Sequence, residues 1–367
     1  MPIDVLSRTV LSLPHHFAEL RKNIEPPRER REAAATIPDE VRTFLEDQED
    51  YATLSPHSRL TGSYARSTAI HSIKDVDFVV LIDPVDDDDI EPEDALDDLY
   101  AALQTMPEAI GRAGLVQMLR RQRRSIHVYF EDEDFHLDIV PAKMPDGIDE
   151  SLWVPDREWS KWIESDPLGY NKALSTLNAD SGEKAVPLIK LFKHWRTVQM
   201  QRRRPKSYWL EALVYRHLDR GWVATAGKSY AELFTDLLRS VRDRFQAAYD
   251  EDRVPRIPDP MLGHNVAESW ELPAFRSFMS RLNDSIGWAE RALAKDRDEI
   301  DEAIELWQKV FGDEYFTNSS DARRLQFAEW AGSSSLFVTG AGRVLTKKPT
   351  DQPTVASRPH NFYGDAK

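Results

Sequence analysis

Asp75 and Asp77 stand two residues apart beside the apolar run Phe78 to Ile82, and Asp138 sits in a second such run between Leu137 and Ile139. Side chains two apart on a strand share a face, so the first two acids present their carboxylates side by side. They repel unless one is protonated or a cation lies between them. Such hard oxygen donors suit Mg²⁺, which is commonly held by one or two carboxylates together with substrate phosphates. Taken alone, this pair is more often two exposed acids at the start of a strand. Two further features turn the reading toward chemistry. Gly62-Ser63 lies upstream at a turn leading into a helix-like segment, where backbone N–H groups and a hydroxyl can hold a phosphate. Asp138, in the middle of a strand with apolar neighbours, is costly to bury unless paired or bound to metal. Three acids around two Mg²⁺ ions would activate an attacking hydroxyl and stabilise a leaving pyrophosphate.

These residues need elements to position them. The run Phe78 to Ile82 is β-rich, bounded by Pro84 and too short for an ordinary helix, which predicts a buried strand. Ser125 to Phe130 and Phe135 to Val140 form two more strand-like runs; the intervening EDED suits a hairpin, with Pro141 ending the second strand. Residues 1–50 read as helical with a break at Pro26 and Pro27, and a helix is expected around Asp94 to Met106. The chain beyond about residue 150 reads as mainly helical through Phe311. The expected division is an N-terminal helical segment over 1–50, a catalytic core over 51–150, a helical region over 151–316 completing the site, and a loose tail over 317–367. The acidic stretch Asp86 to Asp89 lacks the glycine and terminal glutamate of a calcium loop and reads as solvated. The fold class expected is α+β.

Composition narrows the partners. The 367 residues include no cysteine, which excludes disulfides, thiol nucleophiles and thiolate zinc sites and fits a reducing cytoplasm. No apolar run reaches the length of a membrane span and no export signal opens the chain, so a cytoplasmic protein with no membrane partner is expected. A net charge of −15 argues against a stable DNA or RNA complex. The basic clusters at Arg120, Arg121, Arg123 and Arg124, and at Arg202, Arg203, Arg204 and Lys206, read as solvated faces. Small nucleotides carrying metal remain compatible, because a local site can override the overall field.

The order Gly-Ser, Asp-x-Asp and distant strand Asp resembles the polymerase-β-like nucleotidyltransferases. More narrowly, GSYARST, DVDFVVLID and HLDIVPA resemble the CD-NTases, bacterial relatives of cyclic GMP–AMP synthase and oligoadenylate synthase. The likeness continues through LIKLFKHWR, KSYWLEAL, IPDPMLGHN and WQKVFGDEYF, to about residue 316. Ser67 departs from it, standing where a glycine is expected, which puts the turn geometry at issue. The resemblance implies a polymerase-β-like core with a mixed sheet, packed against an oligoadenylate-synthase-like helical domain. It implies that Asp75, Asp77 and Asp138 bind two Mg²⁺ ions, with Mn²⁺ able to substitute. Nucleotide contacts are implied for Gly62, Ser63 and Tyr64, for Lys193 and Ser207 on the triphosphate, and for Tyr208 stacking on a base.

Each of these has a plainer reading beside it. Lys190, Lys193 and Thr197 form a polar stripe that an exposed helix face would equally show. Ser207 stands where an N-cap would start a helix, and Tyr208 suits core packing as well as a base. His136 reads as a spectator, since Mg²⁺ prefers oxygen, and the IPDPMLGHN segment is assigned no role. The resemblance further implies an enzyme that makes a cyclic di- or trinucleotide second messenger from ATP and other nucleoside triphosphates, in CBASS-type antiviral signalling. The alternatives are a nucleotidyltransferase acting on RNA or tRNA 3′ ends and a non-enzymatic nucleotide-binding scaffold. In the tail, Pro359, His360, Phe362 and Tyr363 suit a docking peptide for a partner protein or a segment folded back on the surface; the resemblance implies that such a partner would be a regulatory or conjugating one, a ubiquitin-like conjugation enzyme or a HORMA-type protein.

Overall fold

The computed structural model describes residues 10–48, 53–72, 75–82, 90–144, 151–202, 204–333, 336–339, 344–345 and 354–357. The acidic stretch 86–89, Arg203 and the aromatic residues of 359–363 lie outside them.

Helices α1 (Pro14–Asn23) and α2 (Arg28–Glu46) lead into strand β1 (Thr53–Thr61), a single helical turn α3 (Gly62–Ala65) and strand β2 (Asp75–Ile82). Helices α4 (Pro92–Leu103) and α5 (Met106–Ala109) precede three strands, β3 (Val116–Arg121), β4 (Ile126–Phe130) and β5 (Phe135–Ala142). Together the strands make one mixed sheet in the order β1-β2-β5-β4-β3, in which β2 and β5 run parallel and the other pairs antiparallel. Alternation decides which face each strand buries. Val76, Phe78, Val80 and Ile82 of β2, with Leu137 and Ile139 of β5, pack against α2 and α4. Val79, Leu81 and Ala142 face the other way, under the hairpin of β6 (Leu152–Asp156) and β7 (Lys161–Ser165). Asp75, Asp77 and Asp138 are on that second side by the same alternation.

The rest is a helical layer: α6 (Pro167–Asp180), α7 (Ala185–Gln199), α8 (Ser207–Asp219), α9 (Tyr230–Asp250), α10 (Leu272–Leu293), α11 (Ile300–Phe311) and α12 (Ser320–Ser333). A capping box at Ser229 and Glu232 starts α9. Helix α7 is its axis, with Leu188, Ile189, Leu191, Phe192, Lys193, His194 and Trp195 all buried. A helix buried all round has neighbours on every side, so the polar stripe expected at Lys193 is not a solvent face.

The class is α+β, as expected, and the predicted strand at Phe78–Ile82 and the β4–β5 hairpin are present. Four differences are instructive. Pro141 continues β5 instead of ending it: β4 stops opposite Ile139, so the missing N–H of Pro141 leaves no partner unpaired on that side. Residues 152–165 form a hairpin at the start of the region expected to be helical. The expected N-terminal segment is shared between two cores, Phe17, Leu20 and Ile24 joining the helical layer while Ile37, Val41 and Phe44 join the sheet. Within the stretch expected to be loose, α12 forms, followed by a small sheet of β8 (Leu336–Thr339), β9 (Val344–Leu345) and β10 (Thr354–Ser357).

Candidate active site

The register of the sheet gathers the acids. Asp77 pairs with Asp138 across the parallel β2–β5 ladder, and Asp75 with His136. Burial, then Asp138, then Asp75 raise the Asp77 carboxyl to about 6, with the Arg66 guanidinium opposing them. Burial also raises Asp138, against a hydrogen bond from His127. Negative charge is therefore in surplus at this end of the sheet. A divalent cation fits the chemistry of the donors, which are hard oxygens. Among the described residues no trio of His, Asp or Glu is yet gathered within reach of one ion.

On β4, His127 faces Asp138. Its Nδ1 lies 2.7 Å from Asp138 Oδ1 and its Nε2 lies 2.9 Å from His136 Nδ1. With Nδ1–H donating to the carboxylate, a neutral His127 accepts at Nε2 from His136, whose ring stacks on Tyr129. His136 thus contributes to the hydrogen-bonded chain that runs through His127 to Asp138. His127 itself is absent from the residues expected at the site.

Gly62 starts the loop above the acids at φ 68°. A Cβ there would lie 1.7 Å from Asp77 Oδ2, so the carboxylate occupies the space a side chain would need. Gly62→Ala should displace Asp77 and, with about 1–2 kcal/mol of left-handed strain, lower both stability and turnover. We expect turnover to fall about a hundredfold, as for misplacement by an ångström; wild-type turnover with full thermal stability would contradict the close approach. After Gly62 the Ser63 carbonyl accepts from Thr68 N at 2.9 Å and Ala69 N at 3.1 Å. Ser67 holds φ 56°. The serine therefore keeps the conformation that a glycine would favour. Because Ser67 is exposed, Ser67→Gly should raise stability by about 0.5–1 kcal/mol, read as a higher melting temperature.

A buried ionic cluster joins this loop to the helical layer. Arg66 Nε donates to Glu211 Oε2 at 2.8 Å, and the guanidinium lies over the rings of Tyr170 and Tyr208. Thr68 Oγ1 donates to Glu211 Oε1 at 3.0 Å. Lys193 directs its ammonium to the same carboxylate, to Thr68 O and to Thr68 Oγ1. Glu211 is 1% exposed and Lys193 2%. Although burial alone would raise it, Lys193 and Arg66 hold the Glu211 carboxyl down to about 2. Burial pulls Lys193 below its ordinary range while Glu211 opposes.

The expected nucleotide contacts thus divide. Gly62 and Ser63 sit at the acids. Tyr64 turns away, its hydroxyl reaching Arg31 O on α2 at 3.3 Å. Lys193 braces the loop from beneath, with all three protons engaged. Ser207 is the first residue of α8 after the N-cap Lys206, so it is not the cap, and its hydroxyl accepts from Arg196 at 3.2 Å. Tyr208 is half-buried and donates to Asp259 Oδ2 at 2.7 Å. Asp259 in turn accepts from Met261 N and Leu262 N, so the IPDPMLGHN segment fixes the Tyr208 ring.

Against known proteins, residues 11–178 match the model of the Second Messenger Oligonucleotide or Dinucleotide Synthetase domain. A cyclic AMP-AMP-AMP synthase of Acinetobacter sp. is 27% identical over 353 residues, covering 94% of this chain and 96% of that one. The Bradyrhizobium diazoefficiens CD-NTase CdnG, solved in complex with GTP, superposes with a TM-score of 0.64 at 20% identity, covering 85% of this chain and 99% of that chain. CdnC of E. coli, solved in a complex with HORMA-deltaN, gives 0.62 at 18% identity over 82% and 97% of the two chains. Among the described residues no helix is long and apolar enough to cross a membrane.

Proposed function

Because this chain belongs to the CD-NTase family of nucleotidyltransferases, we propose that it makes a cyclic di- or trinucleotide second messenger from ATP and other nucleoside triphosphates, with Mg²⁺, in antiviral signalling. The observation that carries this reading is the cross-strand pairing of Asp77 with Asp138 beneath the Gly62 loop. Asp75, Asp77 and Asp138 would hold Mg²⁺, which when bound favours the ionised form of an attacking hydroxyl and neutralises a leaving pyrophosphate. A phosphate would lie beside the loop that starts at Gly62, where the Ser63 hydroxyl can donate to it. Tyr208, fixed by Asp259, offers a ring face to a base. Each ribose hydroxyl that attacks an α-phosphorus forms one phosphodiester and releases one pyrophosphate; the last such step closes the ring.

The test is incubation of purified protein with nucleoside triphosphates and Mg²⁺, phosphatase treatment and mass spectrometry. Phosphatase-resistant cyclic products without added nucleic acid are expected. Products that form only on an added RNA acceptor, and stay attached to it, would replace this reading with transfer to RNA ends. The net charge of −15 disfavours that outcome.

A further inference from the structure

Away from the acids, the C-terminal end of α8, the final turns of α9 and the 253–263 loop flank a solvent-open cavity of about 570 Å³, with Arg244, Arg253 and Arg256 exposed. Among the described residues four arginines line it, Arg216, Arg244, Arg253 and Arg256, beside Trp222 and His217, and no carboxylate does. In a chain of net charge −15, this is a local inversion of sign. Arg253 pairs with Glu251, and Arg256 donates to Gly263 O at 2.8 Å. Arg216 and Arg244 have no carboxylate partner among the described residues. Instead both guanidinium groups lie over the Trp222 ring, whose edge meets the buried His217.

Two unneutralised guanidinium groups facing the same ring repel each other. The slight desolvation of the otherwise exposed Arg244, and then Arg216, pull it below its ordinary range. Burial, then Arg244 and Arg216, hold His217 down to about 3, so it is neutral at physiological pH and accepts or donates only to Ser240 Oγ at 2.9 Å. Trp222 holds both arginines over its ring by cation–π attraction. Their N–H forks are left for an anion, and phosphate oxygens match that fork. The volume is that of a small-ligand site rather than of a groove tracking a duplex.

We propose that this cavity binds a phosphate-bearing small molecule of about nucleotide size, with Arg216 and Arg244 on its phosphates and Trp222 as their buttress. The assignment is independent of the reaction at the acids. It does, however, share a structural element with it, since the cavity is lined by Pro258 and Gly263 of the same segment whose Asp259 holds Tyr208.

The experiment is calorimetric titration of the Asp75→Asn, Asp77→Asn protein with ADP and with inorganic tripolyphosphate, in EDTA, so that metal-dependent binding is suppressed. The same background carrying Arg216→Gln and Arg244→Gln is compared with it. Saturable binding that weakens by at least about tenfold in the Gln protein, with a shallower salt dependence, is expected. Because neither arginine is ion-paired, the Gln protein should melt at the same temperature or higher. If it melts lower, Arg216→Lys and Arg244→Lys keep the charge without the fork and should still weaken binding. Equal affinity in all proteins, or no saturable binding below about 1 mM, would overturn the assignment. So would loss of duplex DNA binding in the Gln protein with ADP binding unchanged.

Discussion

Converting Asp75 and Asp77 together to asparagine should abolish product formation, by about a thousandfold or more, with the fold intact. Asparagine is close to isosteric with aspartate, so the β2 pairing with β1 and β5 is undisturbed. What changes is charge. Asp77 is raised to about 6 by burial and by Asp138 and Asp75, which marks its ionised form as strained where it stands. Removing two of the three negative charges should therefore leave the melting temperature unchanged or slightly higher. The divergence of the two readouts is the informative part: activity lost, stability kept or gained. Undiminished turnover in the double variant, measured by pyrophosphate release and product mass, would end the assignment of these acids.

The second large effect is one of stability. Glu211→Gln should destabilise the protein by about 3–5 kcal/mol, because it strands Arg66 and Lys193 in the interior without their counter-charge. For the full ionic cluster the pH dependence has a definite sign. A carboxyl whose folded value is depressed to about 2, from an ordinary 4.5, stabilises above pH 4.5. That contribution is lost as the pH falls from 4.5 toward 2, so acid unfolding should be steep there in the wild type and shallower in Glu211→Gln. Replacing the whole cluster, Arg66→Met with Lys193→Met and Glu211→Leu, should recover much of the stability but not the turnover, since the loop above the acids would lose its hold on α8. Recovery of both by the apolar triple would reduce the cluster to mere packing. A Glu211→Gln protein with an unchanged denaturant midpoint would remove even that.

How much of the molecule is legible in its sequence depends on the kind of information each residue needs. Asp75, Asp77 and Asp138 can be found there because strand alternation and a buried acid are local signals. His127 is within reach of the same means. The four-residue EDED turn sets Phe130 opposite Phe135, and that register brings His127 opposite Asp138. Only its pairing partner, not its own surroundings, gives it away. Glu211 carries a different signal, an acid among Leu210, Ala212, Leu213 and Val214 that are all buried, and such an acid needs a cation nearby. Lys193 reads as facing outward because a periodic pattern assumes one apolar side. Helix α7 has no open side, being enclosed by its neighbours, and that fact lies in tertiary structure alone. The edge strands β1 and β3 escape detection for a related reason: edge strands are polar and short of the β-branched runs that mark central ones. Ser67 departs from the family pattern in residue type yet holds the left-handed backbone that a glycine would favour.

The first helix has a consequence in time. The backbone at Leu11 donates to Leu293, His15 meets Glu329, and Thr317 and Ser319 both reach Glu19. The sheet, by contrast, draws its partners from residues close by in the chain, within about the first half. During synthesis, which proceeds from the N-terminus, the sheet can assemble while these contacts of α1 wait for residues some three hundred positions later. Contacts of that separation are the slow ones to form. Glu211 and Tyr208, which anchor the loop over the acids, belong to the layer that α1 completes. A ribosome-bound chain should therefore carry the acids long before the helical layer is in place to hold the loop over them.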